Sequence, residues 1–340
     1  MYSINRYVDL SIIIILIIIF FFCNLFYGSI SIPISAVIDI LLGKEVEYPA
    51  WTNIILQSRF PQAITALLAG SALAVVGLML QTLFRNSLVG PDILGISNGA
   101  NLGVAIVLLY YNKIGSNFSL KFDLSTVIAA FIGALGILIL ILYFSVKVKD
   151  NIMILIIGIM ISYLASSGIS ILNSFASSES IRSYVFWGLG SFSDISVSEL
   201  PFFSISILIG LSTTIFLIKS LNALLLGEHY AANLGINIKK IRVLILLITG
   251  FLIAIVTAFC GPISFIGLIV PHIARIVLKK SNLQLLLPTT IFLGSAMALL
   301  CNLMTIIPFN RNLLPLNAVM PLLGAPIIIY IIWNKKIHIP

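Results

Sequence analysis

The chain predicts an all-α polytopic membrane protein of about ten transmembrane helices, built as an inverted five-helix repeat. Runs of ~20 apolar residues recur along all 340 positions, the length a helix needs to cross a ~30 Å hydrocarbon layer. Hydrophobic residues make up 60% of the chain and charged ones 9%, where soluble domains average roughly a quarter charged. Mean hydropathy is +1.17. The third observation is an echo between the two halves of the sequence, described below. A soluble fold of this length buries a good core, but it cannot hide so many apolar helices from water. A β-barrel is excluded because the runs are continuous and do not alternate.

The first run, 10–27, follows Arg6 and resembles a signal peptide at first sight. No A-x-A-like cleavage site follows it and it is long enough to span, so it reads as a retained first helix. Nine further spans fall at 61–83, 93–111, 124–146, 151–173, 200–218, 241–260, 264–278, 285–307 and 318–333. With the N-terminus inside, twelve Lys and Arg lie on the inner side: Arg6, Arg85, Lys147, Lys149, Lys219, Lys239, Lys240, Arg242, Lys279, Lys280, Lys335 and Lys336. Six lie outside: Lys44, Arg59, Lys113, Lys121, Arg182 and Arg311. Arg275 falls inside a span. The positive-inside rule then places both termini in the cytoplasm. The net charge of +8 is therefore topology and not a nucleic-acid footprint. Cys23, Cys260 and Cys301 lie in apolar stretches and read as small hydrophobes. Nothing has metal-ligand spacing.

The two halves, about 50–150 and 230–336, echo each other. At an offset of 180 residues, Gly70 falls on Gly250, Ala74 on Ala254, Leu88 on Leu268 and Pro91 on Pro271. A second echo pairs Ile132-Gly133-Ala134 with Leu323-Gly324-Ala325. A unit of five spans, an odd number, makes the two copies opposite in orientation, a common plan for transporters. Shared membrane composition is the competing explanation.

One segment combines features that matter for function. A polar, basic stretch, Gly227 to Arg242, enters an apolar helix that ends at Gly261-Pro262. A second apolar run then carries Pro271-His272-x-x-Arg275. A water-exposed loop can receive force from a soluble partner. A broken helix is tolerated in lipid only where protein or a cavity covers the freed backbone groups.

The fifth span carries Gly158, Ser162, Ser166, Ser170 and Ser174, one every four residues, a slowly winding stripe on one side of a helix. Two uses fit this spacing: lining a wet path for a polar solute, or close packing through small residues. Gly95, Gly99 and Gly103 in the third span favour packing. Ionisable residues in or beside the spans are scarce. Asp92 reads as an ordinary helix-start charge. His272 and Arg275 share a helix face and serve either local structure or gating. An ion-coupled secondary transporter usually needs more carboxylates or histidines at mid-depth. No phosphate-binding loop is present, because Gly43-Lys44 lacks the earlier glycine of that motif. No nucleophile–base pair appears, so a membrane enzyme is disfavoured. If transport is active, its energy comes from a partner.

These motifs resemble the permease subunits of bacterial ABC importers for iron–siderophores, haem and vitamin B12. The residues that carry the likeness are Ser58-Arg59-Phe60-Pro61, Gly70, Gln81, Arg85 to Leu88, Pro91 to Ala100, Trp187 to Ser191, Gly227, Ala231, Leu234-Gly235, Arg242, Gly261 to Arg275 and Leu323 to Pro326. The resemblance implies a single permease domain over 1–340 that pairs with a second permease subunit around a central pathway in the plasma membrane. It also implies two ATPase subunits on the cytoplasmic side, which use ATP and Mg, and a binding protein or lipoprotein outside. The chain itself is expected to bind no cofactor and no metal, and to act as a transport subunit for an iron chelate rather than as an enzyme. By the same resemblance, the fifth and tenth helices line the pathway, which places Gly158, Ser162, Ser166 and Ser170 on it. The loop at about 227–240, with Gly227, Glu228, Ala231, Leu234 and Gly235, is the ATPase coupling loop. Arg59 docks the binding protein, with Arg311 as a displaced second arginine, since Asn302 stands where relatives often have Asp. Pro271, His272 and Arg275 are gating or structural.

Overall fold

The computed structural model describes residues 4–110, 122–148, 150–279, 282–306 and 314–333. The described residues are helical, with no strand among them. In chain order the α-helices are α1 (Ile4–Phe26), α2 (Ile34–Leu41), α3 (Pro49–Ile54), α4 (Phe60–Phe84), α5 (Ile96–Ala105), α6 (Phe122–Lys147), α7 (Asn151–Phe175) and α8 (Ser178–Gly188). They continue with α9 (Leu200–Phe216), α10 (Ile218–Leu225), α11 (Glu228–Asn233), α12 (Ile238–Cys260), α13 (Ile266–Leu278), α14 (Leu283–Ile306) and α15 (Leu316–Trp333). A π-helical turn, Ile55–Arg59, joins α3 to α4. A 3-10 turn, Pro91–Leu94, precedes α5.

Five of these helical stretches are long and apolar enough to cross a membrane, and a sixth candidate is the pair α9 and α10, bent by 57°. Shorter apolar helices occur at Leu10–Phe26, Ile96–Leu109, Ile266–Leu278 and Leu316–Ile327. Each predicted span thus meets an apolar helix. The sequence reading missed the short helices α2, α3, α8 and α10, whose length and mixed polarity leave no long apolar run to see.

Local chemistry sets several boundaries. Pro61 follows the π-helical turn Ile55–Arg59 within the continuous stretch Pro49–Phe84, so the carbonyl it leaves without its usual donor, that of Gln57, falls in the irregular turn. Arg85 ends α4 in the left-handed region at φ 48°, and Asn86 N donates back to the Gln81 carbonyl. Asp150 caps α7 by accepting from Ile152 N at 2.9 Å. Asn237 caps α12 by accepting from Lys240 N at 3.1 Å. Such caps satisfy amides that the helix cannot.

Helix α4 is the centre of the molecule. Of its most apolar stretch 89% is buried, against 17% for α7. Its neighbours approach backbone to backbone. A Cβ placed on Gly70 would collide with the Gly294 carbonyl of α14, and one on Gly77 with the Gly267 carbonyl of α13. Pro271 has no N–H to offer that Gly267 carbonyl, so the carbonyl freed by the proline faces the glycine of the adjacent helix. Gly99 of α5 and Gly133 of α6 meet in the same way, which assigns the glycines of the third span to packing.

Gly77→Val should therefore force α4 and α13 apart and cost about 3 kcal/mol or more, at or above the upper end of overpacking penalties. Gly136→Val meets nothing within 4 Å and should leave the unfolding temperature within about 1 °C. Thermal unfolding of both variants in detergent checks the contrast. Equal behaviour would show that the crossing is not close in the membrane.

Candidate functional site

The loop between α10 and α12 folds into the short helix α11. Gly227 starts it at φ 118°, and Gly235 follows it at φ 81°; a side chain would be strained at both positions. Glu228 turns inward. Its Oε1 accepts from Asn151 Nδ2 at 2.5 Å and pairs with Arg242 Nη2 at 3.4 Å. Asn151, the first residue of α7, also donates to the Leu83 carbonyl at the end of α4. Arg242, 3% exposed, donates through Nη1 to the Val148 carbonyl after α6. Through Asn151 and Arg242, one carboxylate thus links α11 to adjoining ends of α4, α6, α7 and α12.

The other face of α11 is free. Tyr230 and Leu234 are exposed, as is Gly235, while Gly227 and Ala231 are buried. This corrects the reading of Ala231 as a partner contact: it packs into the chain's own interior with 0% exposure. In a helix of under two turns, sequence alone does not tell the inner face from the outer. Of the five loop residues proposed from sequence, Leu234 and Gly235 point outward, and Gly227, Glu228 and Ala231 hold the loop in place.

The segment around Pro271 is anchored on both sides. His272 Nε2 donates to the Ser87 carbonyl at 2.8 Å. Arg275 Nη1 donates to Gln81 Oε1 at 2.7 Å, and Gln81 Nε2 donates in turn to the Leu268 carbonyl at 3.2 Å. The side chain of Ser264 hydrogen-bonds Asp92, so the break before α5 and the break before α13 touch. Phe265, at φ 71°, begins α13 in a conformation rare for a bulky residue. Asn317, at the start of α15, donates to the carbonyls of Gly188 at 3.1 Å and Pro262 at 2.7 Å. That amide fastens the chain after α8 and the Gly-Pro break to one helix end.

The serine stripe of α7 divides in two. Gly158 is buried against the backbone of Ile93 and Leu94, and a Cβ on Gly95 would lie 2.5 Å from Ser162 Oγ. This half packs. Ser166 and Ser170 are exposed, on a helix that is largely uncovered. Ser162 Oγ donates to the Gly158 carbonyl and Ser170 Oγ to the Ser166 carbonyl. Hydroxyls satisfied on their own helix need no partner.

Arg59 departs from expectation. It is 5% exposed, and its guanidinium donates to the carbonyls of Leu25 at 2.8 Å and Phe26 at 3.0 Å, and to that of Ile30. These are the orphan carbonyls at the end of α1 and just beyond it. The side chain closes α1 rather than facing a docking partner. Arg311 lies outside the described residues.

Comparison with known proteins matches a profile of the FecCD transport family to residues 15–334. The chain belongs to the FecCD transport family. An ABC transporter permease of Methanocaldococcus jannaschii is 33% identical over 323 residues, covering 91% of each chain. The molybdate import system permease protein MolB of Haemophilus influenzae is 32% identical over 320 residues, covering 91% of this chain and 90% of that one. Other matched permeases are named for vitamin B12 and hemin. A solved ABC transporter described as metal-chelate type, in an inward-facing conformation, superposes with a TM-score of 0.83 at 29% identity, covering 96% of this chain and 98% of that one. This FecCD chain is thus an integral membrane permease subunit of an ABC importer and not an enzyme.

Asn24 and Gln62 of this FecCD permease, which sequence reasoning passed over, form a largely buried amide chain with Asn302. Asn302 Nδ2 donates to Asn24 Oδ1 at 2.7 Å, and Gln62 Nε2 donates to Asn302 Oδ1 at 3.0 Å. Asn24 Nδ2 donates to the carbonyls of Phe20 and Leu299. The signal available was the presence of carboxamides within apolar helices, which are costly in lipid unless paired. Asn302, where a carboxylate was expected, suits this network because an amide both donates and accepts.

Arg59→Gln should leave carbonyls at the end of α1 unpaired and cost about 3 kcal/mol, from the loss of two or three charge-assisted bonds. Thermal unfolding of the purified chain reads this. A variant of unchanged stability would return Arg59 to the surface.

Proposed function

We propose that this chain is the membrane subunit of an importer that moves an iron chelate, of the siderophore or haem class, into the cytoplasm. Ten helices cross the plasma membrane in two inverted halves, with both termini inside. The chain pairs with a second permease subunit, identical or related. Two ATPase subunits using ATP and Mg seat beneath it, and a binding protein or lipoprotein delivers cargo from outside. The observation that carries this reading is Glu228, which fixes α11 to the core and leaves Tyr230 and Leu234 facing outward. A short helix with a rigid inner anchor and an exposed aromatic–aliphatic face is built to accept a push. The metal-chelate description of the solved neighbour and the relatives named for hemin and iron chelatin support a metal-chelate cargo.

The test is uptake in liposomes. The chain alone should move no ferric siderophore. Adding the ATPase, binding protein, ATP and Mg should start uptake, which excess molybdate should not inhibit. Tyr230→Ala with Leu234→Asp should weaken ATPase association at least tenfold while the permease stays folded, as expected for anchors in a buried contact. Uptake by the chain alone would restore an ion-coupled carrier, and unaltered ATPase association in the double variant would place the coupling surface elsewhere.

We further assign the exposed half of the α7 stripe to the translocation pathway. With Cys23, Cys260 and Cys301 replaced by Ala, Ser166→Cys and Ser170→Cys should react with water-soluble thiol reagents at rates that change with nucleotide. Ser162→Cys, packed against Gly95, should react at least tenfold more slowly. Two inert outer positions in every state would make the stripe a packing face throughout.

A further inference from the structure

A cleft of about 820 Å³ opens between the end of α4, α10, the last turns of α13 and the start of α14. Its lining includes two arginines, Arg85 and Arg275, and no carboxylate. Arg85 is exposed at the cleft mouth, and Arg275 is half-buried. Its guanidinium is held by Gln81 Oε1, a neutral acceptor, and neither arginine forms an ion pair with any described residue. A cation withdrawn from water without a counter-charge is costly. Two forked guanidiniums in one cleft are the donor set that phosphate oxygens take best.

The walls are also built. Asn222 Nδ2 donates to Asn282 Oδ1 at 3.3 Å, and Asn222 Oδ1 accepts from Leu283 N at 3.0 Å, which joins α10 to the start of α14. Leu225, Leu226 and Leu286 add an apolar side. Helix α10 is bent 57° from α9 and is amphipathic, with Leu221 and Leu224 packed into the core and Lys219 exposed. A polar floor with two arginines beside Leu225, Leu226 and Leu286 has the two-sided chemistry of a phospholipid headgroup and the first carbons of its chains.

We propose that this cleft binds a phosphate-class anion, supplied as the headgroup of an anionic phospholipid of the inner leaflet. The leaflet rests on the proposed topology; the binding chemistry does not. The site also touches the coupling loop. A Cβ on Gly227 would lie 3.6 Å from Arg85 Nη1, so an anion that draws in Arg85 acts on the residue from which α11 begins. A bound headgroup would order the loop that carries Tyr230 and Leu234.

The experiment compares thermal unfolding of the full chain in nanodiscs of phosphatidylcholine alone and with phosphatidylglycerol. Phosphatidylglycerol should raise the midpoint by about 3 °C or more, as a ligand specific to the folded state does. Arg85→Asn keeps a residue that tolerates the left-handed conformation and should lose most of that rise. Gln284→Glu puts a carboxylate at an exposed position of the cleft wall and should lose it too, even if Arg85→Asn proves unstable. Arg182→Gln, on α8, should retain the full rise. Inorganic phosphate added to phosphatidylcholine discs separates the sources: a rise that it reproduces assigns the site to a free anion, and a rise confined to the lipid assigns it to the headgroup. No rise with either probe, or an equal rise in Gln284→Glu and wild type, overturns the proposal.

Discussion

The structure depends on α4 being thin enough for others to touch its backbone. Inside a membrane no hydrophobic force draws one helix to another, because lipid is as apolar as leucine. What remains is close packing, and that requires small residues where helices cross. The sequence of α4 supplies Ala63, Ala66, Ala69, Gly70, Ala72, Ala74 and Gly77, all buried. At Gly70 and Gly77 the facing helices bring glycines of their own, Gly294 and Gly267. The segments that move in a transporter are then arranged around a scaffold whose shape backbone contact has set. This explains how α13 carries an internal proline at its crossing with α4: the carbonyl that Pro271 leaves without its usual donor lies against protein and not against lipid.

A second constraint follows from the first. A chain with so little charge gains most by placing its buried charged and amide groups where a partner meets them. Arg59 closes α1, the amides of Asn24, Gln62 and Asn302 tie α1, α4 and α14 together, and Arg242 meets both Glu228 and the Val148 carbonyl. These links are directional where the glycine contacts are not. They fix rotation and height of helices that packing alone would let slide.

The apolar helices and the broken segments were legible in the sequence because length and hydropathy are summed over many residues. The short helix α11 was legible because Gly227 and Gly235 bracket it. The direction in which single side chains point was not. Arg59 reads as an outer cation by its place before α4, yet the nearest unmet need is at the end of α1, 33 residues earlier in the chain. Ala231 reads as part of a partner surface, yet α11 has only six residues, and Ala231 is the small side chain that lets it lie against the core. In the α7 stripe, one spacing serves packing at Gly158 and Ser162 and exposure at Ser166 and Ser170. The change between the two uses is made by the turn at Pro91–Gly95, far away in sequence. Periodicity names a face of a helix but not what covers it.

The path from α11 inward gives the proposed coupling a physical form. Glu228 accepts from Asn151, the residue that opens α7, and α7 carries the exposed serines. In that proposal, displacement of α11 acts on the first turn of α7 through a charged hydrogen bond rather than through loop backbone. The same Asn151 holds the Leu83 carbonyl of α4, which the glycine crossings keep in place. In the proposed coupling the base of α7 sits between α11 and the fixed α4, and a push on α11 would pivot it against α4. A 25-residue helix is about 37 Å long, so a small rotation at its foot becomes several ångströms at its outer end. Exposure lets α7 respond: with 17% of its apolar stretch covered, few contacts of its own chain oppose the swing. The helix that presents polar groups is thus the one the core holds least, and the helix that everything packs against is the one that gives it a fulcrum.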